Sequence, residues 1–220
     1  MPTEELQEIQ EIIEAYNKLG QLLQNYLGNA PSVQNSNGSV DIKGSKKGSK
    51  KGDTGKSNHL LTYPSIYIDG ACQSTEGGWG VVVYLDEGVT LERGGYVADT
   101  TCNRMELQAA IEAVRLLQQL NLELDYKVPV YTDSQYVQKG ITIWINNWKR
   151  NGWQGSSGEV KNVSLWVELD TLNKEVLVDW RWVKGHIGVQ GNERADFIAT
   201  AFAAQKQITL HNSFDLSAFE

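Results

Sequence analysis

Two stretches of the sequence carry an apolar run into an aspartate that is followed at once by a small residue. They are "IYIDGA", residues 66–71, and "PVYTDS", residues 129–134. An Asp-Gly pair taken alone is a turn signal. The repetition changes that reading, because chemistry in mixed α/β sheets gathers where neighbouring strands end. Two such strands place Asp69 and Asp133 side by side, and like charges that close raise each other's pKa unless a cation sits between them. Glu106 in "NRMEL" falls in the first turn of a predicted helix, next to Leu107. Asp196 in "NERADFIA" sits among Ala195, Ile198 and Ala199, an awkward place for an acid without a positive partner. Each of these two, taken singly, is a solvated helix acid. All four on converging elements point to a hard divalent cation held by carboxylate oxygens, Mg²⁺ or Mn²⁺, and no Cys/His cluster competes for zinc. His186 lies in "VKGHIGVQGNE", flanked by Gly185, Gly188 and Gly191. Alone it is a surface histidine; its place just ahead of the last carboxylate draws it toward the site.

The elements that must position these residues follow from periodicity. "SIYIDGA", "WGVVVYLDE" and "TLERGGYVA" predict three strands joined by Gly-containing turns, an antiparallel meander. "NRMELQAAIEAVRLLQQL" is a strong amphipathic helix, and "KVPVYTD" a short buried strand. "SQYVQKG", "ITIWINNWKR" and "VSLWVELDTLN" are helical in type; "VLVDWRWVKG" is a strand and "NERADFIATAFAAQ" a final helix. Three strands followed by alternating helix and strand predict a mixed sheet covered by helices.

Ahead of this compact region the chain changes character. Residues 3–27 carry Leu6, Ile9, Ile13, Tyr16, Leu23 and Leu27 at helical spacing, with Thr3 as N-cap and Gly28 and Pro31 as stop signals. A helix this apolar on one face needs a partner surface: its own domain, a second copy or another protein. Residues 29–62 read as a flexible Lys/Gly/Ser linker, built around "KGSKKGSKKGDTGKS" and unable to bury a core. "GDTGKS" is not a phosphate loop, since the pattern needs glycine where Lys50 stands and no strand precedes it. The organisation expected is an amphipathic helix over 1–28, the linker over 29–62, the compact domain over 63–206 and a tail over 207–220.

The 220 residues carry a net charge of −7, with a sequence pI of about 5.1. That argues against gripping nucleic acid by bulk charge, although metal cations let an acidic domain meet phosphate. Residues 31–60 hold six lysines and two aspartates, a local excess of positive charge that can touch a polyanion non-specifically. No apolar run is long enough to span a bilayer, and the acidic start lacks the features of a signal peptide. Cys72 and Cys102 are too few for a disulfide framework, so a reducing cytoplasm is expected.

Taken in order, "IDGA", "NRMEL", "YTDSQYV", "GITIWINNWK" with "GW", and "VKGHIGVQGNERAD" resemble the signatures of ribonuclease H type 1 over residues 64–206. The resemblance implies an α/β fold with a mixed five-stranded sheet flanked by helices. It implies that Asp69, Glu106, Asp133 and Asp196 hold two Mg²⁺ ions, with Mn²⁺ as a substitute. The implied activity is endonucleolytic hydrolysis of the RNA strand of an RNA–DNA hybrid, leaving 5′-phosphate and 3′-hydroxyl ends. His186 matches a histidine that assists proton transfer or product release without being a ligand. Asn103 and Gln135 match contacts to the minor groove, where 2′-hydroxyls mark RNA. Thr101 and Asn162 match a pocket for a DNA-strand phosphate, and Trp148 an aromatic that packs on the DNA backbone, while Trp144 is assigned to core packing. Two stretches depart from the family pattern. "GACQSTEGGWG" after Asp69 is short and lacks an Asn-Pro, and the basic handle is thinned to Lys149, Arg150 and Lys161.

Overall fold

The computed structural model describes residues 63–86, 89–120, 122, 124–156 and 158–213. The helix expected over 1–28 and the linker over 29–62 lie outside the described residues. The described chain opens with three strands, β1 (Ser65–Gln73), β2 (Glu76–Asp86) and β3 (Val89–Val97). Helix α1 (Cys102–Leu120) and strand β4 (Val128–Thr132) follow. Next come α2 (Gln135–Lys139), a π-helical turn Gly140–Trp144, and α3 (Ile145–Arg150). A small hairpin, β5 (Gln154–Gly155) and β6 (Gly158–Glu159), leads to α4 (Val163–Leu172). Strand β7 (Val178–Trp182), α5 (Gln190–Ala203) and the two-residue β8 (Asn212–Ser213) complete it.

The main sheet runs β7-β4-β1-β2-β3-β8. The meander β1-β2-β3 is antiparallel, and β4 and β7 join β1 in parallel. The five long strands are the mixed sheet expected from the sequence; β8 adds a short antiparallel rung on β3. Residues 207–213 are thereby fastened to the domain, helped by the His211 backbone N–H, which donates to Glu92 Oε2 at 2.7 Å.

Both faces of the central strands are covered, which is why β1 reads as a near-continuous apolar run. On one face Tyr67 and Val82 pack with Ala195 and Ile198 of α5. On the other, α1 buries Met105, Leu107, Ala109, Ala110, Ile111, Ala113 and Val114. Its alanines let the helix come close. Gly70 extends this, since a Cβ there would run into the Glu106 backbone nitrogen. The glycine after Asp69 thus clears room for the α1 backbone.

A part-buried ion pair ties α5 to β3. Arg194 donates from Nε and Nη2 to the two oxygens of Glu92, at 2.7 Å each, and from Nη2 to the Thr209 carbonyl at 3.0 Å. Cys72 at the end of β1 and Cys102 at the start of α1 are joined as a disulfide, their Cα atoms 5.0 Å apart. Cysteine count could not reveal a pair that only the packing of α1 on β1 brings together.

Candidate active site

Register places the two aspartates. The parallel pairing of β1 with β4 matches Ile66 to Val130, Tyr67 to Tyr131 and Ile68 to Thr132. Asp69 and Asp133 are each one residue past that last rung. They are therefore neighbours, but not because both strands end there. β4 stops at Thr132, whereas β1 runs on to Gln73, and Asp69 still pairs with Gly80 of β2. The shortened loop after Asp69 is the two-residue turn Ser74–Thr75, closed by the pair Gln73 and Glu76, with Ser74 at φ 58°.

Glu106, one turn into α1, completes a cluster. Oxygen atoms of Asp69, Glu106 and Asp133 lie within 4.8 Å of one another. Asp69 is 6% exposed, and Glu106 Oε2 is buried without a hydrogen-bond partner. Burial pushes the Asp69 carboxyl up to about 8, aided by the charges of Asp133 and Asp196 and opposed by a backbone hydrogen bond from Gly70. Glu106 is raised well above the usual carboxylate range, first by burial and then by the charges of Asp69 and Asp133. Carboxylates are buried together in this way where a cation neutralises them. The donors are all oxygen, which suits Mg²⁺ or Mn²⁺, and the orphaned Glu106 Oε2 supplies a lone pair that no protein donor satisfies.

Asp196 stands at the margin. It lies outside the 4.8 Å group, yet its charge helps to raise the Asp69 carboxyl. Its Oδ2 lies 3.7 Å from His186 Nδ1, and the His186 side chain is 76% exposed. His186 itself adopts a left-handed φ of 55°, and Gly188 N–H donates to Glu193 Oε1 at 2.9 Å.

Asp133 is fastened by residues that sequence reasoning passed over. Asn192, 1% exposed, donates from Nδ2 to Asp133 Oδ2 at 3.2 Å, and its own Oδ1 has no partner. Trp182 donates from Nε1 to the Asp133 carbonyl at 2.9 Å. This adds one rung beyond the Thr132–Trp182 pair that ends the β4–β7 ladder. Gly185 crosses close by, where a Cβ would strike Asp133 Oδ2. Asn192 was legible in principle, because it shares the buried face of α5 with Ala195 and Ala199 at helical spacing. A wholly buried amide on such a face needs a polar partner.

A second concavity opens beside the π-helical turn. It is a groove of about 410 Å³ lined by Asn103, Tyr136, Trp144, Trp148, Glu159 and Lys161, among others. Trp144 and Trp148 are tilted at 49° with centroids 5.6 Å apart, and Trp148 meets Trp166 edge-on at 5.3 Å. Trp144, assigned to the core from sequence, is half-buried and forms part of this wall. Asn162 adopts a left-handed conformation before α4 and donates from Nδ2 to the Tyr136 hydroxyl at 3.3 Å. Thr101 and Gln135 are exposed at the starts of α1 and α2, and Gln135 Oε1 accepts from Lys139 Nζ at 2.8 Å. Positive charge is scarcer than the sequence implies. Lys149 is engaged by Asp170 at 2.8 Å, which also holds Lys174 at 2.7 Å.

Comparison with known proteins agrees with this architecture. A family model described as RNase H matches residues 62–204. The ribonuclease H of Cyanothece sp. is 51% identical over 154 residues, covering 69% of this chain and 96% of that protein. The ribonuclease H of Thermosynechococcus vestitus is 49% identical over 149 residues, 66% of this chain and 92% of that protein. Among solved structures, LC9-RNase H1, described as a type 1 RNase H with the type 2 active-site motif, superposes with a TM-score of 0.57 at 30% identity. It covers 72% of this chain and 82% of that one.

Proposed function

The chain belongs to the RNase H family and is a ribonuclease H, a hydrolase acting on RNA–DNA hybrids; from that premise we propose how it cuts. It is an endonuclease that hydrolyses the RNA strand with two divalent cations, Mg²⁺ by preference and Mn²⁺ as a substitute, leaving 5′-phosphate and 3′-hydroxyl ends. The observation that carries this reading is the convergence of Asp69, Glu106 and Asp133 within 4.8 Å, with a buried Glu106 oxygen left unsatisfied. Asp69, Glu106, Asp133 and Asp196 hold the cations. The chemistry such cations supply is activation of a water nucleophile and neutralisation of the charge building on the departing 3′-oxygen.

The protein's own residues do the rest. Asn192 and Trp182 hold Asp133 in place. His186, exposed on its glycine-flanked loop beside Asp196, moves a proton or helps product leave. Asn103 and Gln135 read the minor groove, where the 2′-hydroxyl separates RNA from DNA. Thr101 and Asn162 hold a phosphate of the DNA strand, and Trp148 packs against its backbone. The linker lysines add non-specific affinity. Among the described residues no helix is long and apolar enough to cross a membrane. A cytoplasmic site of action goes with the nucleic-acid substrate. For residues 3–27 we propose a protein partner or self-association, which sedimentation of the full chain against one lacking residues 1–28 tests.

The deciding experiment offers a labelled RNA–DNA hybrid beside RNA–RNA and DNA–DNA duplexes, in Mg²⁺ and in EDTA. Cleavage confined to the RNA of the hybrid, and lost in EDTA, is expected. Hybrid cleavage that persists in EDTA removes the metal mechanism, and equal cleavage of all three duplexes removes the substrate assignment.

A further inference from the structure

The disulfide lies among residues of the candidate site. Cys72 is on β1, the strand of Asp69, and pairs with Gly77. Cys102 opens α1, the helix of Glu106, and is bracketed by Thr101 and Asn103. Asn103 in turn shares the groove wall with Trp144 and Trp148. Cys102 is exposed and Cys72 half-buried, so small reagents can reach the bond. We propose that Cys72–Cys102 is a thiol–disulfide modification site, opened by thiol reductants and closed by small disulfides of the glutathione class, that sets the affinity of this surface for hybrid. The proposal rests on the nuclease reading only for the identity of the ligand.

Closure is a balanced exchange. A thiolate of one cysteine attacks the small disulfide, breaks its S–S bond and expels one thiol, leaving a mixed disulfide on the protein. The second cysteine's thiolate attacks the protein sulfur of that mixed disulfide, forms the Cys72–Cys102 bond and expels the second thiol. The two protein thiols lose two electrons and two protons, and the small disulfide gains them. Opening by two thiols, or by one dithiol, is the reverse.

The contacts say which step responds. The carboxylates keep their places without the bond, because β1 is paired on both sides and the α1 backbone is seated against Gly70. The first turn of α1 is held more lightly. Just ahead of it Thr100 N–H donates to the Thr75 carbonyl at 2.9 Å and the Thr101 carbonyl accepts from the Arg104 and Met105 N–H groups, while Thr101, Cys102 and Asn103 are all exposed. The disulfide pins that exposed stretch to the end of β1. Its closure pre-orders Thr101 and Asn103 and lowers the ordering cost of binding, while the chemical step is left alone.

The test uses the full chain, poised with dithiothreitol or with oxidised glutathione. Free thiols are counted by alkylation and mass, and hybrid affinity is read by fluorescence anisotropy in EDTA. Melting is followed in both states, and cleavage kinetics are measured in Mg²⁺. Oxidised glutathione should remove both free thiols without adding mass from a glutathione adduct. It should raise Tm by roughly 5–10 °C, as closure of a 30-residue separation implies. Hybrid Kd and KM should tighten about 3- to 10-fold, with kcat within about twofold. Cys72→Ser and Cys102→Ser should each show the weaker affinity under both conditions. Two thiols that persist in oxidised glutathione overturn the proposal, and so does an affinity equal in both states. A redox-dependent Kd with no cleavage in either state supports it and overturns the nuclease reading instead.

Discussion

The carboxylate cluster and the tryptophan groove are built by different means. The cluster sits on the most constrained part of the molecule, with Asp69 and Asp133 set by the register of adjacent parallel strands and Glu106 by a helix seated on Gly70. The groove is assembled from a π-helical turn, short helices and a two-rung hairpin. Its tryptophan walls are half-buried, its Gly158 stands in open space, and Lys149, next to Trp148 in the chain, is taken up by Asp170. A reacting centre tolerates little displacement, so it belongs on elements whose geometry the sheet dictates. A surface that holds a long polyanion by stacking and charge can be rebuilt piecemeal. The comparison predicts that damage to the first region appears in the chemical step and damage to the second in affinity.

The largest effect is expected for Asp133→Asn. It keeps shape and the contact to Asn192 but removes a carboxylate charge from the cluster, and single-turnover hybrid cleavage should fall by on the order of 10³-fold or more. Hybrid binding in EDTA should change little; a variant retaining wild-type turnover would break the assignment of the cluster. Asn192→Ala, which touches no substrate, should cost about 10- to 100-fold in turnover or in the Mg²⁺ needed for half-activation, the usual penalty for a lost support of a ligand. An effect confined to KM would place Asn192 with the groove instead.

Trp148→Ala should weaken hybrid affinity by about tenfold, the middle of the range for loss of one stacking side chain, with kcat near wild type. A loss of kcat alone would erase the contrast between the two regions.

The smallest effect is on stability without metal. Asp69 has a folded-state pKa of about 8, raised from an ordinary value of 3.8, so the folded state binds its proton more tightly than the unfolded one. That contribution is fully present below about pH 4 and lost as pH rises toward about 8. In EDTA, wild type should therefore lose stability between those pH values, relative to Asp69→Asn. At pH 8 the variant should melt higher, by about 2–4 °C for each kcal/mol of destabilisation removed. Adding Mg²⁺ should reverse the order. A pH-independent gap would mean that burial and the neighbouring charges do not raise the Asp69 carboxyl.

Much of the fold and of the site is legible in the sequence. Strand–Asp pairs, the amphipathic helix beginning near Glu106 and the order of the elements follow from local periodicity, which backbone geometry enforces residue by residue. The roles of Asn192 and Trp182 are not legible there, because they are defined by Asp133, 59 and 49 residues away. The Cys72–Cys102 link is hidden for the same reason, since counting cysteines says nothing about which elements pack.

"IYIDGA" shows where the division lies. The sequence by itself determined that an apolar strand delivers a carboxylate beside a glycine, and that a second strand repeats the arrangement, because side-chain alternation and hydrophobicity are local properties. Only the tertiary structure decided that β1 runs past Asp69 while β4 stops short of Asp133, and that Gly70 admits a helix backbone. It also left Asp196 at the edge of the cluster. Those outcomes depend on inter-strand register and helix approach, long-range contacts that no window of sequence contains.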